Sequence, residues 1–323
     1  MVTLDRFFAE RFAAVAGITW GDVYSGDRDA IDKAVALGAP SGRFQLPDVS
    51  VHDLEAPGPH GDVPVRIYRS KSPIDLAPAL IWMHGGAFQF GSLDMIEAHG
   101  VAAEIANRAR GVVISVDYRL APKHQYPVPV DDCVAVVHWV AASFRRFGID
   151  PGQIAAGGAS AGANLATATA LRLRDESGPR LRALCLAYPS LHLVTPPPTP
   201  EIAEACEVLP PLARFDAQTR EGFYRTYLGD AYDDPPTYAT PGIADLARLP
   251  RTAIANAEHD DLRASGELFA RQLREHGVQV EAWTEAGMAH GYLDRIGDVD
   301  GAERTLDRFA AFLRPRDEAT GIG

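Results

Sequence analysis

Beyond residue 78, short runs of consecutive apolar residues alternate with longer stretches of helical periodicity. The runs fall at 79–83, 112–116, 153–156, 183–188 and 252–255. Between them, helical stretches fall at 95–109, 130–147, 161–174 and 262–276. A strand covered on both faces meets no water, so it reads as an unbroken apolar run rather than an alternating one. Strands regularly separated by helices predict a doubly wound, mostly parallel sheet with crossover helices on both faces, an α/β fold. One more strand, 279–284, and a last helix near 302–313 complete the series. Upstream, VSVHDLEA and VPVRIYRS alternate apolar and polar residues around PGPHGD, which predicts a hairpin.

Two segments stand outside this alternation. Residues 3–37 place Phe7, Phe8, Phe12 and Val15 at helical spacing, so one or two amphipathic helices are expected. Their apolar face covers either an active site or the main sheet. Residues 193–241 hold TPPPTP, a helical stretch near 215–227, and DDPPTYATP, where one crossover helix would suffice. Insertions of this size commonly serve as lids or binding elements. The expected organisation is therefore N-terminal cap helices at 1–45, a core at 46–192 and 242–323, and a cap insertion at 193–241.

The chain has 323 residues and a formal net charge of −12. That balance argues against a nucleic-acid partner, which requires a basic face. No run approaches the roughly 20 apolar residues of a membrane span, and the charged N-terminal stretch does not read as a signal peptide. Cys133, Cys185 and Cys206 are scattered without a CxxC pair, so no zinc site is expected. The sparse, odd count fits a reducing, cytoplasmic compartment.

Chemistry concentrates at GGASAGAN, residues 157–164, which follows the strand QIAA and opens an Ala- and Leu-rich helix. Gly158-Ala159-Ser160-Ala161-Gly162 fits G-x-S-x-G, a tight strand-to-helix turn that exposes a serine hydroxyl. The competing reading of such a turn is a phosphate cradle, but the lysine of a GK[ST] motif is missing. HGGAF, residues 84–88, follows the strand ALIWM. Successive glycines there let backbone N–H groups face a ligand. Gly85 and Gly86, with the N–H of Ala161, are the expected oxyanion donors, and Ala87 is a further one. His84 is expected to orient that loop by hydrogen bonding. Asp131 and Asp132 are read as partners of a helix N-terminus.

HGGAF, then DYRLAPKHQYP at 117–127, then GASAG resemble, in that order, the hormone-sensitive-lipase-like branch of the α/β-hydrolases. The resemblance implies an α/β-hydrolase fold with a helical cap and a serine esterase acting on short acyl esters. It also places the acid and the base. AEHDDLRASG resembles the family's D-P-L-R-D stretch and assigns Asp260, with Asp261 and Glu258 as fallbacks. GMAHGY resembles the family's H-G-F and assigns His290. The order Ser160, Asp260, His290 is the one this fold requires. The chain departs from the family pattern at Ala87 (often Gly), Ala159 (often Asp), Asp261 (usually Pro) and Ala264 (usually acidic). No metal or organic cofactor is implied, and a homodimer through an edge strand and the last helix is a further expectation. DYRLAPKHQYP itself reads as a brace for the oxyanion loop rather than as catalytic machinery.

The leading expectation is a carboxylesterase of short- to medium-chain acyl or aryl esters. An amidase or lactonase on the same triad is its variant, because pocket shape selects the leaving group. A non-catalytic small-molecule receptor is the alternative from another class, since one fold hosts unrelated functions.

Overall fold

The computed structural model describes residues 3–314. Three short helices open the chain: α1 (Arg6–Ala13), α2 (Trp20–Tyr24) and α3 (Arg28–Gly38). The periodicity suggested one or two. The extra breaks come from Gly17 at φ +82° and from new starts at Thr19 and Asp27. Thr19 and Asp22 form a reciprocal capping box, and Asp27 accepts from the Asp29 and Ala30 N–H groups. Each cap satisfies donors that a helix start leaves free.

The strands follow as β1 (Val49–Ala56), β2 (Val63–Ser70), β3 (Ala77–Met83), β4 (Val112–Val116), β5 (Ile149–Ala159), β6 (Ala183–Ala187), β7 (Arg251–His259) and β8 (Val280–Ala289). They form one sheet in the order β1-β2-β4-β3-β5-β6-β7-β8. β1–β2 and β2–β4 pair antiparallel, and every later pair is parallel. The connecting helices are α4 (Ile96–Ala109), α5 (Val128–Ala142) and α6 (Ala161–Asp175). The insertion after β6 carries α7 (Pro200–Cys206) and α8 (Ala217–Leu228), and α9 (Arg263–Glu275) and α10 (Asp300–Leu313) close the series.

Helices on both faces explain the unbroken apolar runs. In β3, Leu80 and Trp82 join one buried cluster, while Ala79, Ile81 and Met83 join the other. Successive side chains point to opposite faces, and here both faces are core. No helix among the described residues is long and apolar enough to cross a membrane.

Asp131 stands in the first turn of α5, which begins at Val128, as expected; Asp132 differs, since its carboxylate is taken up in the core. Asp131 pairs with Arg172 and lies 2.7 Å from His60 Nε2. Asp132 is fully buried and accepts from the Arg119 backbone N–H (3.0 Å) and guanidinium (2.5 Å). A buried carboxylate needs such bonds more than a helix end needs a diffuse charge.

Candidate active site

Ser160 sits between β5 and α6 at φ +53°, ψ −115°. This is a strained geometry for a residue with a Cβ, of the kind the surrounding fold must enforce. The enforcement is visible around it. A Cβ at Gly162 would lie 2.0 Å from the Met83 carbonyl oxygen and 2.4 Å from that of His84. Only glycine lets α6 start this close to the end of β3. The Ser160 N–H donates to Ala187 O at 2.9 Å, tying the turn to β6.

His290 follows β8, and Asp260 follows β7. The parallel register brings both to the carboxyl edge of the sheet beside Ser160. His290 Nε2 lies 3.0 Å from Ser160 Oγ, and His290 Nδ1 lies 2.8 Å from Asp260 Oδ2. Asp260 is buried and also accepts from the Leu262 N–H at 2.9 Å. The two fallback acids are engaged elsewhere. Asp261 holds Arg214 and the Phe215 N–H, and Glu258 accepts from the Gly287 N–H at 2.6 Å. Burial disfavours the charged imidazole of His290, but the charge and hydrogen bond of Asp260, reinforced by Glu97, outweigh it and raise its pKa.

The loop after β3 corrects one expected donor. The Gly85 N–H is spent on Glu97 Oε1, 2.6 Å away, so it does not face the site. The Gly86, Ala87 and Ala161 N–H groups make no hydrogen bond among the described residues. Gly86 sits at φ +117°, with Gln89 and Phe90 N–H groups folded onto its carbonyl (2.9 and 2.8 Å). A Cβ there would fall 2.0 Å from Phe90 O. Ala87 itself lies at φ +52°, which accounts for the glycine usual at that position.

His84 is fully buried. Its Nδ1 donates to Gly85 O at 2.6 Å, its ring stacks on Tyr118, and the Tyr118 hydroxyl donates to His84 O at 2.8 Å. Burial pushes its pKa down to about 4, which keeps the ring neutral. It orients the loop, and Tyr118 of the DYRLAP segment braces it from behind.

Glu97, in the first turn of α4, is the residue that motif reading missed. It is buried, and its two carboxylate oxygens accept from Gly85 N–H and from the Tyr188 hydroxyl (2.5 Å). Its own N–H donates to Asp294 Oδ1 at 2.9 Å. Tyr188 packs edge-on against His290, with ring centroids 4.8 Å apart. One carboxylate thus links the oxyanion loop to the wall of the imidazole. Burial first, then the nearby Asp294, push its pKa well above the usual carboxylate range.

A narrow pocket opens beside Ser160. Phe88, Phe215, Phe223, Tyr224 and Leu262 form its apolar wall. Phe215 also covers His290, with ring centroids 4.4 Å apart. Three of these aromatic residues come from the 193–241 insertion, and Trp20 of α2 packs edge-on against Phe223 at 6.5 Å.

The family model described as alpha/beta hydrolase fold matches residues 80–294. This chain belongs to the α/β-hydrolase fold family. The match agrees with the hormone-sensitive-lipase-like resemblance read from HGGAF, DYRLAPKHQYP and GASAG. Among curated relatives, the hydrolase is 37% identical over 272 residues to the esterase LipI of Mycobacterium tuberculosis, spanning 83% of this chain and 82% of that one. It is 32% identical over 246 residues to an arylesterase of Saccharolobus solfataricus, spanning 72% and 73%. Among solved structures, it superposes on the hyperthermophilic esterase of the archaeon Pyrobaculum calidifontis with a TM-score of 0.83. That pair is 32% identical, covering 97% of this hydrolase and 98% of the other chain.

Proposed function

We propose that the protein is a serine carboxylesterase that cleaves short- to medium-chain acyl or aryl esters through an acyl-enzyme. The observation that carries this reading is the continuous hydrogen-bonded chain Ser160–His290–Asp260. Ser160 Oγ attacks the ester carbonyl carbon while His290 Nε2 takes its proton. The carbonyl oxygen becomes an oxyanion and is held by the N–H groups of Gly86, Ala87 and Ala161, each worth about 3 kcal/mol in the transition state. The tetrahedral intermediate collapses, the ester C–O bond breaks, and His290 returns the proton to the leaving alkoxide. Water then repeats the sequence on the acyl-enzyme. Asp260 fixes the imidazole tautomer and stabilises the imidazolium.

The 193–241 insertion and α2 act in this reading as a cap whose aromatic residues form the substrate wall. The names of the relatives favour ester over amide cleavage, and an intact triad speaks against a non-catalytic receptor. All three cysteines are free and buried, which supports a reducing, cytoplasmic setting.

A chain-length series of p-nitrophenyl esters tests the reading. Turnover is expected for short acyl chains, and Ser160→Ala is expected to lower kcat by at least about 10⁴-fold. An unchanged rate in that variant removes the proposal.

A further inference from the structure

The pocket beside Ser160 is lined by one charged side chain, which an all-apolar acyl site has no use for. Arg220, on the first turns of α8, lines the wall between the aromatic rings. It is half-buried, and among the described residues no carboxylate forms an ion pair with it. Its Nε donates to Phe215 O at 2.8 Å and its Nη1 to the Thr195 hydroxyl. Its Nη2 makes no hydrogen bond among the described residues.

The nearest carboxylates are already committed. Asp216 caps α8 by accepting from the Thr219 N–H, and Asp261 carries a bidentate bond from Arg214 together with the Phe215 N–H. They soften the field of Arg220 without using its donors. Nη2 is not among the buried donors that lack a partner, so its N–H groups stay open to an acceptor that enters the pocket. In pockets of this kind the few polar groups fix ligand orientation and selectivity.

We propose that Arg220 is a specificity-determining residue that selects esters carrying a carboxylate a few atoms from the scissile bond. This rests on the esterase reading, because it gives the substrate class of that same cavity. The planar guanidinium offers its free edge to a carboxylate, and the aromatic wall covers the methylenes between that carboxylate and the ester. A branched alkyl end of equal size leaves the donors of Arg220 unmatched, so such substrates are disfavoured.

Matched probe pairs test this on the full chain. On the acyl side, monoethyl glutarate is compared with ethyl 5-methylhexanoate. On the alcohol side, the butanoyl ester of hydroxypropanoate is compared with isoamyl butanoate. Hydrolysis is followed by proton release. In at least one pair the anionic-to-neutral ratio of kcat/KM is expected to fall about tenfold in Arg220→Met, the effect of one charge-assisted hydrogen bond. Arg220→Lys, which keeps the charge but loses the fork, should fall between. The proposal is overturned if both ratios are the same in the parent protein and in both variants.

A binding measurement separates this from the esterase reading. In the Ser160→Ala background, calorimetry is expected to show at least one of the two anionic esters binding about tenfold tighter with Arg220 than with Met at that position. No difference for either ester also overturns the proposal, whether or not the parent protein turns over esters. Absence of turnover on every ester, with the binding difference intact, overturns the esterase reading instead.

Discussion

Glu97 holds a carboxylate at a depth where an unpaired charge would cost several kcal/mol. Its value to the site lies in what it aims. By taking the Gly85 N–H, it turns the next two peptide units outward, and through Tyr188 it packs the face of His290. Glu97→Gln keeps the shape but turns one acceptor oxygen into a donor. The amide oxygen can stay on Gly85, but the Tyr188 hydroxyl must then turn from donor to acceptor, and the negative charge beside the oxyanion loop is gone. We expect kcat to fall about tenfold with KM nearly unchanged, since the loss acts on oxyanion binding. Steady-state kinetics decide it, and a KM effect without a kcat effect would count against a positioning role. The acid limb of the rate profile follows from His290. The imidazole must be neutral to accept the Ser160 proton, and, against the effect of burial, Asp260 raises its pKa above the ordinary histidine value of 6.5. A raised pKa keeps the ring protonated, hence inactive, to a higher pH. The half-point of kcat/KM on the acid side should therefore lie above 6.5, and a pH series of kcat/KM checks it.

At the scale of elements, the decisive contact is between the start of α6 and the end of β3. Gly162→Ala should place a methyl inside the van der Waals shell of two carbonyl oxygens that cannot move without shifting the central strand. The expected cost is about 3 kcal/mol or more, read as a lower denaturation midpoint with a lower specific activity. This junction was legible in the sequence because its constraint is local. A strained serine flanked by glycines, between an apolar run and a helix, has few other uses. The strands were legible for the same kind of reason, since burial on both faces leaves an unbroken apolar mark. What stayed hidden depends on long-range packing. Which N–H of HGGAF is free could not be read, because Glu97, which occupies Gly85, lies twelve residues on and has no motif of its own. Asp261 looked like an odd replacement in the acid loop. It is the anchor for Arg214 and Phe215, a contact across more than 45 residues that no spacing rule encodes.

For the molecule as a whole, Arg295 fastens the N-terminal helices to the catalytic edge, and Arg11 of α1 converges with it on the end of α3. The last carbonyls of α3 and its cap accept from Arg11 Nη1 (Leu37 O, 3.0 Å; Ala39 O, 3.1 Å) and from Arg295 (Leu37 O, 2.9 Å; Ala39 O, 3.0 Å). A helix C-terminus gathers unpaired carbonyls and partial negative charge, so cations bind there favourably. Arg295 lies five residues beyond His290 and next to Asp294, which accepts from the Glu97 N–H. The Asp5 N–H also donates to Gly287 O, near the end of the β8 strand that leads into His290, at 2.9 Å. Burial disfavours the charge on Arg295, but those carbonyls have no other described donors besides Arg11 that could replace it. Arg295→Met fills similar space with a chain that cannot donate, and leaves several carbonyls half-satisfied. The expected loss is about 2–3 kcal/mol, or roughly 3–5 °C in Tm for a chain of this size. Because the fault lies at the attachment of α1–α3, limited proteolysis should cut within residues 14–27 before it cuts the sheet. Ester turnover should decline with that cleavage, since α2 supports Phe223 in the substrate wall. An unchanged Tm and an uncut N-terminal segment in Arg295→Met would show that the apolar contacts of Phe8 and Phe12 hold these helices without the arginine clamp.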